Sequence, residues 1–356
     1  MFHFEIYQIV NIVALVMGIT FGAIAQKTQF CFSGSIKDYL LFSSTRRASS
    51  VVMAMLVVII STQTLSHFYD IGLDESVWRS EEINYFSILL GGLLFGSGMT
   101  IADGCSSRHL VKFAQGDNKS LVTLIFIAIF AYASMEGQLN IAVYALYANE
   151  TLRSLSSVLK NVALNPYFVS IVFMIILAFL VRTPKRLPLL WDGVIIGLLV
   201  TLGWYITGVY GAQTLELDTR YVPTTSMSFV GPSARTLELF TQYKENHLDF
   251  GISLIMGVLI GASIMSKFNK KYSFGCAANM KIHTLKNSMF GGALMGVGGI
   301  MTLGCTVGQG LTGLSTLALA SFIAISSILL SGYVTARYLH SKEKLPMCFI
   351  FEWPKK

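Results

Sequence analysis

What most restricts this chain is a succession of nine apolar runs, each nearly free of charge. They lie at roughly 8–25, 49–66, 84–101, 120–136, 167–182, 189–210, 248–266, 289–303 and 315–339. A helix crosses a bilayer with about 20 mostly apolar residues, because every backbone polar group must be satisfied within the segment. The runs therefore predict an all-α polytopic membrane protein of about nine transmembrane helices. Composition agrees, since 13% of the 356 residues are charged, about half the share of a soluble domain. With 53% apolar residues, disordered and collagen-like chains are excluded. No Lys or Arg precedes the first run, unlike a secretory signal, so that run is expected to stay as a span. The segment 138–162 reads as an amphipathic stretch along the interface.

Basic residues orient the spans. Lys27, Lys37, Arg46 and Arg47 follow the first run, Arg108, Lys112 and Lys119 the third, Arg182, Lys185 and Arg186 the fifth, and Lys267, Lys270, Lys271, Lys281 and Lys286 the seventh. Cytoplasmic loops retain such residues, so the N-terminus is expected outside and a tail over 341–356 inside. The net charge of +7 is dispersed over these loops, which points to a lipid bilayer as partner and not to nucleic acid. Asp103, Glu136, Asp192 and Asp249 stand at run ends, where caps or interfacial positions are expected. Trp78, Trp191 and Trp204 are expected in the interface belt and core.

An internal repeat is visible. Gly91–Cys105 aligns without gaps on Gly291–Cys305, with seven of fifteen positions identical, including both cysteines. Alternating orientation makes the two copies antiparallel. The expected plan is a first repeat over 1–150 (spans one to four), a linker over 151–188 with the odd fifth span, and a second repeat over 189–340 (spans six to nine). Inverted repeats with short broken helices place substrate sites at the repeat interface, where helix N-termini of partial positive charge face an anion.

The five cysteines, at 31, 105, 276, 305 and 348, form no CxxC pair and no metal-ligand spacing, so neither a metal nor another cofactor is predicted. Cys31, Cys105 and Cys305 each close an apolar run and precede small or hydroxyl residues suited to cap a following helix. The string Gly304-Cys-Thr-Val-Gly-Gln-Gly, the segment Pro223–Arg235 and the Gly-rich run ending at Cys105 resemble the YeeE/YedE family of bacterial inner-membrane sulfur-compound transporters. The resemblance covers about residues 10–340.

The resemblance implies an hourglass-like helical fold that takes up thiosulfate, with one thiol from each of three motifs on the path. Carried onto this chain, the path residues are Cys31, Cys105 and Cys305 with Gly104, Gly304, Arg108 and Gln309. No catalytic residue is implied, and a small cytoplasmic sulfur-carrier protein is the implied recipient. A neutral S–H is a weak donor suited to a soft terminal sulfur, whereas a thiolate would repel a dianion. Two departures stand out: Cys105 continues into Ser-Ser-Arg108-His109, and Cys276 corresponds only loosely to Cys31. They leave open another sulfur or selenium oxyanion as substrate. A membrane thiol enzyme forming a Cys persulfide, with His109 near Cys105 as its best feature, is the alternative of a different class.

Overall fold

The apolar runs all fall on helices, and small residues decide how those helices meet. The computed structural model describes residues 5–80, 83–140, 143, 164–181, 184–216, 221–241, 248–270 and 284–346. Its main helices are α1 (Ile6–Thr28), α2 (Phe32–Phe42), α3 (Arg46–Phe68), α4 (Tyr85–Ile101), α5 (Ser106–Ala114) and α6 (Asn118–Met135). They continue as α7 (Pro166–Val181), α8 (Trp191–Tyr205), α9 (Val230–Thr241), α10 (Phe250–Phe268), α11 (Leu285–Met301) and α12 (Leu319–Ser341). Between α11 and α12 a helical segment over 306–315 is wound as a π-helix across Gly308–Gly313. Seven helical stretches among the described residues are long and apolar enough to cross a membrane. The helix α7 is a shorter apolar one of 16 residues, and α11 has 17. Most of 138–162, together with Cys276, Cys348 and the tail from 347, lies outside the described residues.

Among the described helices, α1 packs most extensively on α10, and the two cross at facing small residues. A Cβ on Gly18 would stand 2.2 Å from the Leu254 carbonyl oxygen, and one on Gly257 would stand 2.2 Å from that of Leu15. Small-xxx-small spacing (Gly18/Gly22 against Gly257/Gly261) is what lets backbones approach without a hydrophobic drive between helices. At the centre, α4 crosses α11 reciprocally. A Cβ on Gly98 would meet the Gly291 carbonyl at 2.7 Å, and one on Gly298 would meet that of Gly91 at 2.5 Å. Outside this pair α12 lies on α4 and α6 lies on α11; α3 packs on α8, α2 on α3 and α12, and α9 on α10 and α6. The helix α7 touches α3, with Val169, Leu177 and Val181 buried, while Tyr167, Phe168, Ile175 and Phe179 point outward, as suits a lipid-facing helix.

Two helix ends have the same unusual form. After α4, Asp103 takes a left-handed φ of 65°, and the Gly104 N–H bonds the Met99 carbonyl at 2.9 Å. After α11, Leu303 does so at 57°, and the Gly304 N–H bonds the Gly299 carbonyl at 2.8 Å. This six-to-one closure is a Schellman motif, which satisfies orphan carbonyls and lets the chain turn at once into a new helix. Asp tolerates the left-handed region; Leu adopts it at a cost of about 1–2 kcal/mol, so packing must hold Leu303 there.

Of the aspartates expected at helix ends, Asp249 does cap α10, its side chain accepting from the Ile252 N–H at 2.7 Å. Asp103 and Asp192 instead form buried ion pairs. Trp78 and Trp204 stack edge to face inside the core, with ring centroids 5.7 Å apart.

Candidate functional site

Each described cysteine stands immediately before a helix. Cys31 is the N-cap of α2, where its Sγ accepts from the Gly34 N–H at 3.3 Å. Cys305 does the same for the 306–315 segment, accepting from Gly308 at 3.4 Å. Cys105 caps α5 in position and lies 3.3 Å from the Ser107 hydroxyl. All three are free thiols and buried, at 4%, 1% and 0% exposure for Cys31, Cys105 and Cys305. Unpaired N–H groups of a first helical turn carry partial positive charge, so each of these helix ends can attract an anion.

The thiols form a row. Cys31 adjoins Cys105, and Thr306, the residue after Cys305, also comes close to Cys105. Beyond Cys305 the row continues to Ser228. A Cβ on Gly308 would lie 2.9 Å from Ser228 Oγ and 3.8 Å from Cys305 Sγ, so the absence of a side chain there keeps hydroxyl and thiol facing one space. Ser228 is half-buried and lines a cavity of about 270 Å³ together with Tyr7, Asn11, Arg235 and Asp249. The cavity thus meets the row at its Cys305 end.

The remaining sequence-predicted residues fall around this line. Gly104 and Gly304 occupy the matched Schellman turns, each next to its cysteine. Arg108, on α5, donates to the Gln29 side-chain oxygen beside Cys31. The Gln309 amide donates back to the Thr302 carbonyl, so it holds the turn that presents Cys305. His109 is buried, its Nδ1 3.0 Å from Ser120 Oγ, and Ser120 donates to Asp117 at 2.7 Å.

At the Cys31 end the sequence reading missed a buried charged network. Lys37 on α2 and Lys112 on α5 both bind Asp103, at 2.7 Å each, and Lys37 also donates to the Pro346 carbonyl at 3.0 Å. Arg47 pairs with Asp38 at 3.3 Å. Each looked like a loop anchor because it sits among other Lys and Arg residues. Ser228 was missed because the search followed cysteines, although Met227-Ser-Phe-Val-Gly231 parallels Phe30-Cys-Phe-Ser-Gly34 and leads into α9 as that segment leads into α2. Among the described residues no group of three or more His, Cys, Asp or Glu is placed to hold a metal.

Apolar helices that end at matched turns and restart at buried thiols have the form found in membrane transport proteins. Comparison with known proteins gives the particular kind. The Sulphur transport family profile matches residues 27–334, and the chain belongs to that family. It is 26% identical over 349 residues to thiosulfate transporter TsuA of Spirochaeta thermophila, covering 90% of this chain and 97% of that relative. Against TsuA of Escherichia coli the identity is 22% over 353 residues, covering 91% and 93%. A probable transporter, YedE of Escherichia coli, is 25% identical over 104 residues, covering 29% of this chain and 24% of the relative.

Proposed function

We propose that this protein imports thiosulfate across the bacterial inner membrane, passing the anion from Ser228 to Cys305, Cys105 and Cys31 in turn. The observation that carries the reading is the row of buried thiols at helix N-termini, joined to a cavity at its Ser228 end. Thiosulfate has a soft terminal sulfur beside hard oxygens. Neutral thiols offer it weak donors, helix N-termini offset its charge, and weak successive contacts allow both entry and release. Relatives named as thiosulfate transporters over nearly the whole chain support the substrate. Another sulfur or selenium oxyanion is the runner-up.

The architecture we infer is nine crossings in an inverted repeat. Exchanging α1 with α8, α2 with α9, α3 with α10, α4 with α11 and α6 with α12 maps observed packing onto observed packing. The α1–α10 contact becomes α8–α3, the α4–α12 contact becomes α11–α6, and α4–α11 maps onto itself. Gly91 and Gly98 meet Gly298 and Gly291 in the same sense. In this plan α7 is the unpaired helix, the N-terminus lies outside, and a small sulfur-carrier protein receives the anion at the basic inner face.

The test is uptake of radiolabelled thiosulfate into proteoliposomes. Wild type takes it up with its thiols unmodified by mass spectrometry, and Cys105→Ser and Cys305→Ser lose most of that uptake. Normal uptake by both variants, with unchanged preference over sulfate, would overturn the thiol path.

A further inference from the structure

The Cys31 end of the row is more positive than its own pairing accounts for. Lys37, Arg47, Arg108 and Lys112 stand there with Asp38 and Asp103, none more than 7% exposed. Counted among the described residues, four cations stand against two carboxylates here. Asp117 lies apart, its carboxylate taken by Ser120 and the Lys119 N–H. Burying a charge without compensation is costly, by several kcal/mol per ion, so an excess of buried cations over carboxylates in a membrane protein points to a functional site.

Geometry narrows the place. The Arg47 guanidinium lies in the space that a Cβ on Gly34 would fill: Nη1 would be 1.8 Å from it. Only glycine at 34 admits the group, and the Gly34 N–H is the one that points at Cys31 Sγ. Arg47 Nη2 is buried with no hydrogen-bond partner. Arg47 and Arg108 both lie within electrostatic reach of Cys31 and of each other. A guanidinium is a planar fork of donors matched to tetrahedral oxyanions, which it can hold through two oxygens.

We infer that Arg47 and Arg108 form an oxyanion station beside Cys31, matched in charge to a dianion. They take the sulfonate oxygens while the terminal sulfur rests on the thiol. This rests on the thiosulfate reading above and adds the residues that recognise the other end of the ion. Asp38 opposes binding, because it holds Arg47 by its Nε edge.

The test is calorimetric titration of the purified, detergent-solubilised chain with sodium thiosulfate at fixed ionic strength, run beside wild-type uptake. Arg47→Gln and Arg108→Gln each weaken binding about tenfold or more, the loss expected for hydrogen bonds to a charged group. Arg47→Lys keeps the charge but loses the fork, so it binds more weakly than wild type and more tightly than Arg47→Gln, and Asp38→Asn binds at least as tightly as wild type. A purely structural Arg47–Asp38 pair would make Asp38→Asn as damaging as Arg47→Gln, so Asp38→Asn and Arg47→Lys decide the matter even where the Gln variants fail to fold. Wild-type binding and uptake in both Gln variants would overturn the station and leave the transport reading intact. Loss of binding in Arg47→Gln, beside wild-type vesicles that import nothing, would overturn transport and support the station.

Discussion

Replacing Asp103 by Asn removes one negative charge from between two buried lysines and changes almost nothing else. Asn has the same shape and accepts the left-handed backbone that Asp103 adopts at φ 65°. Lys37 and Lys112 each lose a charged partner at 2.7 Å. Removing one member of a buried pair costs about 3–5 kcal/mol, and the remaining Asn oxygen still accepts one hydrogen bond, so a loss near 3 kcal/mol is expected. Lys112→Met alone leaves the Lys37–Asp103 pair and costs about 1.5–3 kcal/mol. In the double variant one cation is stranded instead of two, so it should be less destabilised than the sum of the singles by about 2 kcal/mol. Reversible unfolding in mixed detergent–SDS micelles measures all four corners of this cycle. A coupling below about 0.5 kcal/mol would show that the carboxylate does not bridge the two lysines. Lys37 lies on α2 and Lys112 on α5, so the same change should part the two helices whose N-caps are Cys31 and Cys105.

Gly257→Val should lower the melting temperature of the solubilised protein, because its side chain meets the Leu15 carbonyl and overpacking costs about 1–3 kcal/mol. Gly231→Ala, with nothing within 4 Å of the new methyl group, should leave it unchanged. Brief diamide oxidation, followed by peptide mapping, should link Cys31 to Cys105 in preference to Cys305, since Cys31 is the thiol that adjoins Cys105; a dominant Cys105–Cys305 link would refute the order of the row. Ser228→Ala should raise the uptake KM about three- to tenfold through loss of one hydrogen-bonding group, and Ser228→Cys should restore it; equal KM values in all three forms would remove Ser228 from the path.

Much of this was legible because it is local. Apolar runs locate the helices, and the ungapped match of Gly91–Cys105 to Gly291–Cys305 locates the two Schellman turns, which follow from spacing along one helix. Small residues after Cys31, Cys105 and Cys305 marked the N-terminal positions of the helices they precede. The network around Cys31 was not legible, because Lys37, Arg47, Lys112 and Asp103 come from different helices and their pairing is tertiary. Local sequence offers for each only the bland explanation of a loop anchor or a cap. Gln309 stands in the most specific string, and that its amide donates to the Thr302 carbonyl beside Cys305 is a tertiary detail no local pattern shows. Trp78 and Trp204 were open to either belt or core, and only packing against each other and Ser315 places them in the core.

The buried positive surplus at the Cys31 end has a consequence for voltage. In the proposed orientation that end lies toward the cytoplasm, so a dianion arriving there has crossed most of the membrane field. With the interior negative by 100 mV, moving two charges across costs about 4.6 kcal/mol, a factor of roughly a thousand or more in occupancy. Two fixed positive charges near the end of the route supply a local well of the opposite sign where the opposing field is greatest. On the proposed station the same well would slow escape, so the step most sensitive to membrane potential and the step that limits delivery would meet at one pair of arginines.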